Sequence, residues 1–182
     1  MHCARHLNNP RYLSAALAAS ALGLVIVGWL IGEWQHLNPC PLCIFQRLLY
    51  LIFAGLACCA ALTSKPGKIC SGLLCGVALG GLVSALYQSV LQWEQAQLTA
   101  GTAALLSTVQ TCGLGPPNLI EQLVEWLGGL WPAMFMATGF CTDKAWVLLG
   151  LSMANWSLLC FAALLAGALQ LLRQTRNLAK TS

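Results

Sequence analysis

The sequence predicts an all-α integral membrane protein: a bundle of four transmembrane helices, with a long outer loop that contains a short interfacial helix. Three observations lead there. Of the 182 residues, 58% are hydrophobic and only 8% are charged, whereas a soluble domain carries about a quarter charged residues. Four stretches, near 12–32, 44–63, 69–91 and 145–172, reach the roughly 20 apolar residues that cross a hydrocarbon core about 30 Å thick. The charges are also sorted. Arg5, Arg11, Lys65, Lys68, Arg173, Arg176 and Lys180, seven of nine basic residues, sit at the two termini and between spans two and three. All five acids, Glu33, Glu94, Glu121, Glu125 and Asp143, fall on the other side.

By the positive-inside rule the basic side is cytoplasmic, so both termini are cytoplasmic and the loops 33–43 and 92–144 face outward. Residues 1–182 read as one membrane domain. "ARHLNNPR" followed by "SAALAAS" resembles a secretory leader, but the apolar run exceeds a signal core and no small-residue cleavage site follows it. Span one is therefore expected to be retained. "TSKPGK" at 63–68 is a tight turn, which makes spans two and three antiparallel neighbours. Gly72, Gly76 and Gly80 form a small-residue stripe on span three of the kind that lets helices approach closely. In the long loop, Leu119, Ile120, Leu123, Val124, Trp126 and Leu127 approximate one helical face, opposite Glu121, Gln122 and Glu125. Such a helix is expected to lie flat on the outer leaflet.

The ten cysteines divide by this map. Cys3, Cys58, Cys59, Cys70, Cys75 and Cys160 are cytoplasmic or within spans, where cysteine behaves as a small apolar residue. Cys40, Cys43, Cys112 and Cys141 lie outside. In a bacterial inner membrane that side is the periplasm, where disulfides persist.

"NPCPLCIFQR" at 38–47 carries the chemistry. Asn38 suits a helix N-cap and Pro39 the first helical position, which places Cys40 and Cys43 in the first turn. There the helix dipole favours an anion, and a Cys-x-x-Cys pair closes readily into a reducible disulfide. Zinc is the weaker reading, because Cys112 and Cys141 are too far apart to supply a second close pair. Arg47, four residues after Cys43, shares its helical face. It is either an interfacial anchor or a functional cation, and a charge within a span is by default a functional flag. Thiols at a bilayer edge can exchange electrons with a molecule that lives in the bilayer. A membrane quinone fits, since its oxygens gain negative charge on reduction and Arg47 can stabilise them. Cys112 and Cys141 form either a loop staple or a second redox pair that relays electrons by thiol–disulfide exchange.

"CPLCIFQR", "ATGFC" at 137–141 and "LGLSMANW" at 149–156, in a four-span chain with paired outer cysteines, resemble the DsbB family, disulfide bond formation protein B. The resemblance covers nearly the whole chain. It implies a thiol:quinone oxidoreductase that supports protein disulfide bond formation by reoxidising a periplasmic DsbA-like thioredoxin-fold protein. Cys112 then matches the cysteine that binds that partner, Cys141 exchanges with Cys40, and Cys43 is the thiolate that reacts with ubiquinone or menaquinone. Arg47 and Met153 match quinone-site positions. The expected partners are the thioredoxin-fold protein, the quinone and the lipid bilayer, with no metal and no nucleic acid.

Two positions depart from the family pattern. Gln46 stands where members often have an acid, and "YQSVLQ" at 87–92 places Gln88 where a quinone-proximal histidine is expected. A vitamin K epoxide reductase-like enzyme has its active Cys-x-x-Cys late and its loop pair early, the reverse of the order here. A tetraspan scaffold with two structural disulfides is the non-enzymatic alternative.

Overall fold

The computed structural model describes residues 9–63, 67–100, 119–137, 139, 147–148 and 150–181. Cys3, Cys112 and Cys141 lie outside them. Four helices, α1 (Pro10–Trp34), α2 (Pro41–Leu62), α3 (Lys68–Ala100) and α6 (Met153–Thr181), include stretches long and apolar enough to cross a membrane. Between α3 and α6 come α4 (Leu119–Leu130), the single turn α5 (Pro132–Phe135), and two strands of two residues each, β1 (Val147–Leu148) and β2 (Leu151–Ser152). The chain is an all-α membrane protein.

Each long helix has a buried face and a broad apolar exposed face, as expected of a helix surrounded partly by protein and partly by lipid. On α1, Leu22, Ile26 and Leu30 are exposed while Leu17, Ala21 and Val25 are buried. α1 starts as an Asn-Pro pair should: Asn9 Oδ1 accepts the Arg11 N–H at 3.2 Å, and Pro10 takes the first helical position.

The sequence-based start of the fourth helix, near 145, differs from the observed start at Met153. Gly150 adopts φ +79° and reverses the chain, so that Val147 pairs with Ser152 and Leu148 with Leu151. A continuous apolar run does not by itself distinguish helix from such a ladder.

The chain packs as two compact units. One comprises Met1–Val27, Leu48–Leu82 and Leu159–Ser182. Its core is Leu17 and Ala21 of α1, Phe53 and Ala57 of α2, Leu74 and Ala78 of α3, and Phe161 and Leu171 of α6. Phe161 stacks on Tyr50 with ring centroids 4.0 Å apart, and its ring fills the space where a side chain at Gly81 would stand. The glycine stripe therefore needs correcting. Gly72, Gly76 and Gly80 are exposed with open space beside them, and Gly81 provides the close approach. The buried face of α3 in this unit runs through Ser71, Leu74 and Ala78, which leaves the stripe turned away from it.

Buried hydroxyls in this unit bond mainly to their own helices. Ser14 donates to Pro10 O at 2.9 Å, Ser71 to Gly67 O at 3.0 Å and Thr175 to Leu172 O at 2.9 Å. Ser71 and Thr175 also meet across helices at 3.3 Å.

Candidate redox site

The second unit comprises Gly28–Arg47 and Val83–Leu158, and it holds the Cys-x-x-Cys motif. α1 ends in a Schellman turn. His36 N–H donates to Glu33 O and Leu37 N–H to Gly32 O, with His36 at φ 49° in the left-handed region. The chain then enters "NPCPLC", outside any helix until Pro41.

The predicted cap at Asn38 is not the one formed. α2 begins at Pro41, which takes the first helical position, and Cys40 becomes the cap residue. Its carbonyl accepts the Ile44 N–H at 3.1 Å, and its sulfur accepts the Cys43 N–H at 3.2 Å. The reason lies in the long loop. Pro39 O, which would accept from Cys43 if the helix began earlier, instead accepts the Gly139 N–H at 3.1 Å. A Cβ at position 139 would collide with the Asn38 carbonyl, so this approach requires glycine.

The two sulfurs lie 2.8 Å apart. Cys40 is 2% exposed, in an apolar cluster with Leu42, Leu91 of α3 and Ile120 of α4, while Cys43 is half-buried. Gln88 of α3, itself 2% exposed, points its amide at both. Nε2 donates to Cys43 Sγ at 3.1 Å and to Cys40 Sγ at 3.4 Å. Its Oε1 in turn accepts from buried Gln46 Nε2 at 2.9 Å. Sulfur at the N-terminus of a helix, receiving a backbone N–H and amide N–H groups, is set up to carry negative charge. Only a small shift separates contacting sulfurs from a disulfide bond of about 2.05 Å.

Arg47, half-buried, donates from an Nη to Met134 O at 2.8 Å. The acceptor belongs to the last turn of α5, whose closing carbonyls attract a cation. A guanidinium carries five N–H donors, so one bond does not exhaust it. Met153 stands half-buried at the first position of α6. Beside it Ser152 is buried, and its Oγ has no hydrogen-bond partner among the described residues.

The structure thus brings Cys40, Cys43 and Gln88 into mutual contact. Sequence reasoning noticed Gln46 only as a departure and missed Gly139, Ser152 and the Met134 carbonyl. The available signal for Gln46 was its polarity in an apolar helix, three residues from Cys43 and on its face.

The DsbB family model, "Disulfide bond formation protein DsbB", matches residues 10–171. The chain belongs to the DsbB family. Among curated relatives, "Disulfide bond formation protein B" of Dechloromonas aromatica is 45% identical over 86% of this chain and 88% of its own length. Proteins of the same name from Polaromonas naphthalenivorans and from Polaromonas sp. (strain JS666 / ATCC BAA-500) are 35% and 33% identical, and each match covers more than 90% of both chains. As a DsbB-family member with four apolar helices, the protein is a multi-pass inner-membrane oxidoreductase that acts in disulfide bond formation.

Proposed function

We propose that the protein reoxidises a periplasmic DsbA-like thioredoxin-fold protein and passes the electrons through two cysteine pairs to ubiquinone or menaquinone. The observation that carries this reading is the Cys40–Cys43 contact, with its sulfurs 2.8 Å apart at a helix N-terminus and both receiving the Gln88 amide. The charge split along the sequence supports an orientation with both termini in the cytoplasm and the four outer cysteines in the periplasm.

The partner's dithiol is oxidised to a disulfide while the Cys112–Cys141 disulfide is reduced, with Cys112 forming the mixed disulfide. Cys141 thiolate then attacks Cys40, which forms a Cys40–Cys141 disulfide and releases Cys43 as thiolate; Cys112 thiolate attacks Cys141 in turn, which restores the loop disulfide and releases Cys40. Each exchange forms one S–S bond and breaks another, so no electron is lost. The Gly139 contact with Pro39 supports this order. Cys141 is two residues beyond Gly139, and each step along a trans chain spans at most about 3.8 Å.

The chemistry of three residues fits a quinone: a half-buried guanidinium at Arg47, a buried hydroxyl at Ser152 with no hydrogen-bond partner among the described residues, and an adaptable apolar side chain at Met153. Arg47 and Met153 would hold it, with the Ser152 hydroxyl available to an oxygen. The quinone supplies the two-electron acceptor, taking up two protons as the Cys40–Cys43 disulfide re-forms.

The test is anaerobic mixing of purified protein, a reduced thioredoxin-fold partner and quinone, following quinol by absorbance. One quinol per partner disulfide is expected. Partner oxidation without quinol, or no partner oxidation at all, would contradict the proposal.

A further inference from the structure

We infer that Gln88 is a catalytic residue that stabilises the sulfur anion of the Cys40–Cys43 pair through a neutral amide, and that Gln46 is the positioning residue that aims it. The inference rests on the reading above only in taking Cys40–Cys43 as the reacting pair.

A primary amide has a donating end and an accepting end, and only the donating end suits a thiolate. Gln46 settles which end faces the sulfurs. Its Nε2 donates to Gln88 Oε1 at 2.9 Å, which leaves Gln88 Nε2 directed at Cys43 Sγ and Cys40 Sγ, at 3.1 and 3.4 Å. Both glutamines are buried, 5% and 2% exposed, so water does not compete for these bonds and their strength rises. The Cys43 backbone N–H reaches Cys40 Sγ from the other side at 3.2 Å.

When the exchange step leaves a thiolate at Cys43, no proton has to be found for it and no side chain has to change charge. Among the described residues, the ionisable groups on the elements around the pair include Arg47 of α2, Glu94 of α3, and Glu121 and Glu125 of α4, with Glu33 acting on Arg47. The side-chain donor to both sulfurs is neutral. At a position where a histidine would make the site titrate near neutral pH, this chain holds a donor whose charge is the same at every pH. The side-chain hydrogen bonds to the anion thereby keep the same charge state at every pH.

The test is the pH profile of Cys43 alkylation by iodoacetamide in the fully reduced protein, resolved by peptide mass spectrometry. It is run without partner or quinone. Gln88→Met keeps the volume and removes the donor; it should raise the midpoint and slow alkylation at pH 7 about tenfold, the scale of one charge-assisted hydrogen bond. Gln46→Glu cannot donate and should turn the Gln88 amide end for end, bringing Oε1 to the sulfurs and raising the midpoint at least as much. In Gln88→His a donor returns, but now a second titration step should appear between pH 5 and 8.

A Gln88→Met variant that does not fold is replaced by Gln88→Glu, which can still accept from Gln46 and should raise the midpoint further. Profiles for Gln88→Met and Gln46→Glu that superimpose on the wild type overturn the inference. If the midpoints shift as stated while the coupled assay yields no quinol, the inference stands and the proposed function fails. A working coupled assay with unmoved midpoints is the reverse.

Discussion

The two compact units bury polarity for different purposes. In the unit built round Phe53 and Phe161, buried hydroxyls close mainly on their own helices: Ser14 on Pro10, Ser71 on Gly67, Thr175 on Leu172. Those bonds satisfy polar groups that hydrocarbon would otherwise leave unpaired. In the unit that holds Cys40 and Cys43, buried amides bond across helices and end on sulfur; each unit also buries one side-chain oxygen without a hydrogen-bond partner among the described residues, Gln174 Oε1 in the first and Ser152 Oγ in the second. On the proposed reading, the buried hydroxyl bonds of the first unit are structural and the buried amide bonds of the second are chemical. Substitutions should therefore separate cleanly, changing stability in one unit and electron transfer in the other.

The largest effect belongs to Cys43→Ala, which should abolish quinone reduction while disulfide exchange between partner and loop persists. Quinol absorbance and partner thiol titration check the two halves. Thermal stability should hold, and a large fall would make the cysteine pair structural.

Phe161→Ala is the counterpart in the other unit. Removing a fully buried ring that stacks on Tyr50 should cost about 3–5 kcal/mol, read as a lower melting temperature in detergent. The quinone KM of whatever remains folded should not change. A shifted KM with unchanged melting would reverse the comparison.

Arg47→Ala should raise the quinone KM roughly tenfold or more, the scale of a lost hydrogen bond to a charged group. Arg47→Lys should recover only part, because the planar fork is gone. Unchanged quinone dependence in both would reduce Arg47 to an anchor for Met134. Smallest of all, Ser71→Ala loses a hydroxyl contact with Thr175 and should cost about 0.6 kcal/mol, measurable by unfolding in mixed micelles and silent in the redox assay.

Much of this was legible in the chain itself. Apolar run lengths gave the four long helices, and "CPLC" followed by Arg47 marked the candidate site. The rest depended on contacts distant in sequence. Asn-Pro occurs at 9–10 and at 38–39, yet only the first pair opens a helix, because Gly139 engages the Pro39 carbonyl and moves the second helix start to Pro41. Gln46 and Gln88 are 42 residues apart, so no local pattern pairs them. The glycine stripe was visible, but which side of α3 meets protein is decided by Phe161, 80 residues from Gly81 in the chain. Local propensity does not see these partners.

The central claim is that Cys40 and Cys43 are the pair that delivers electrons to the quinone, and it can be tested with the loop pair removed. A Cys112→Ser/Cys141→Ser variant, fully reduced and mixed anaerobically with excess quinone, is quenched and its cysteines mapped by mass spectrometry. The account predicts one quinol per protein and a new disulfide between Cys40 and Cys43. Quinol formed while Cys40 and Cys43 remain thiols, or no quinol at all from this reduced pair, would contradict it.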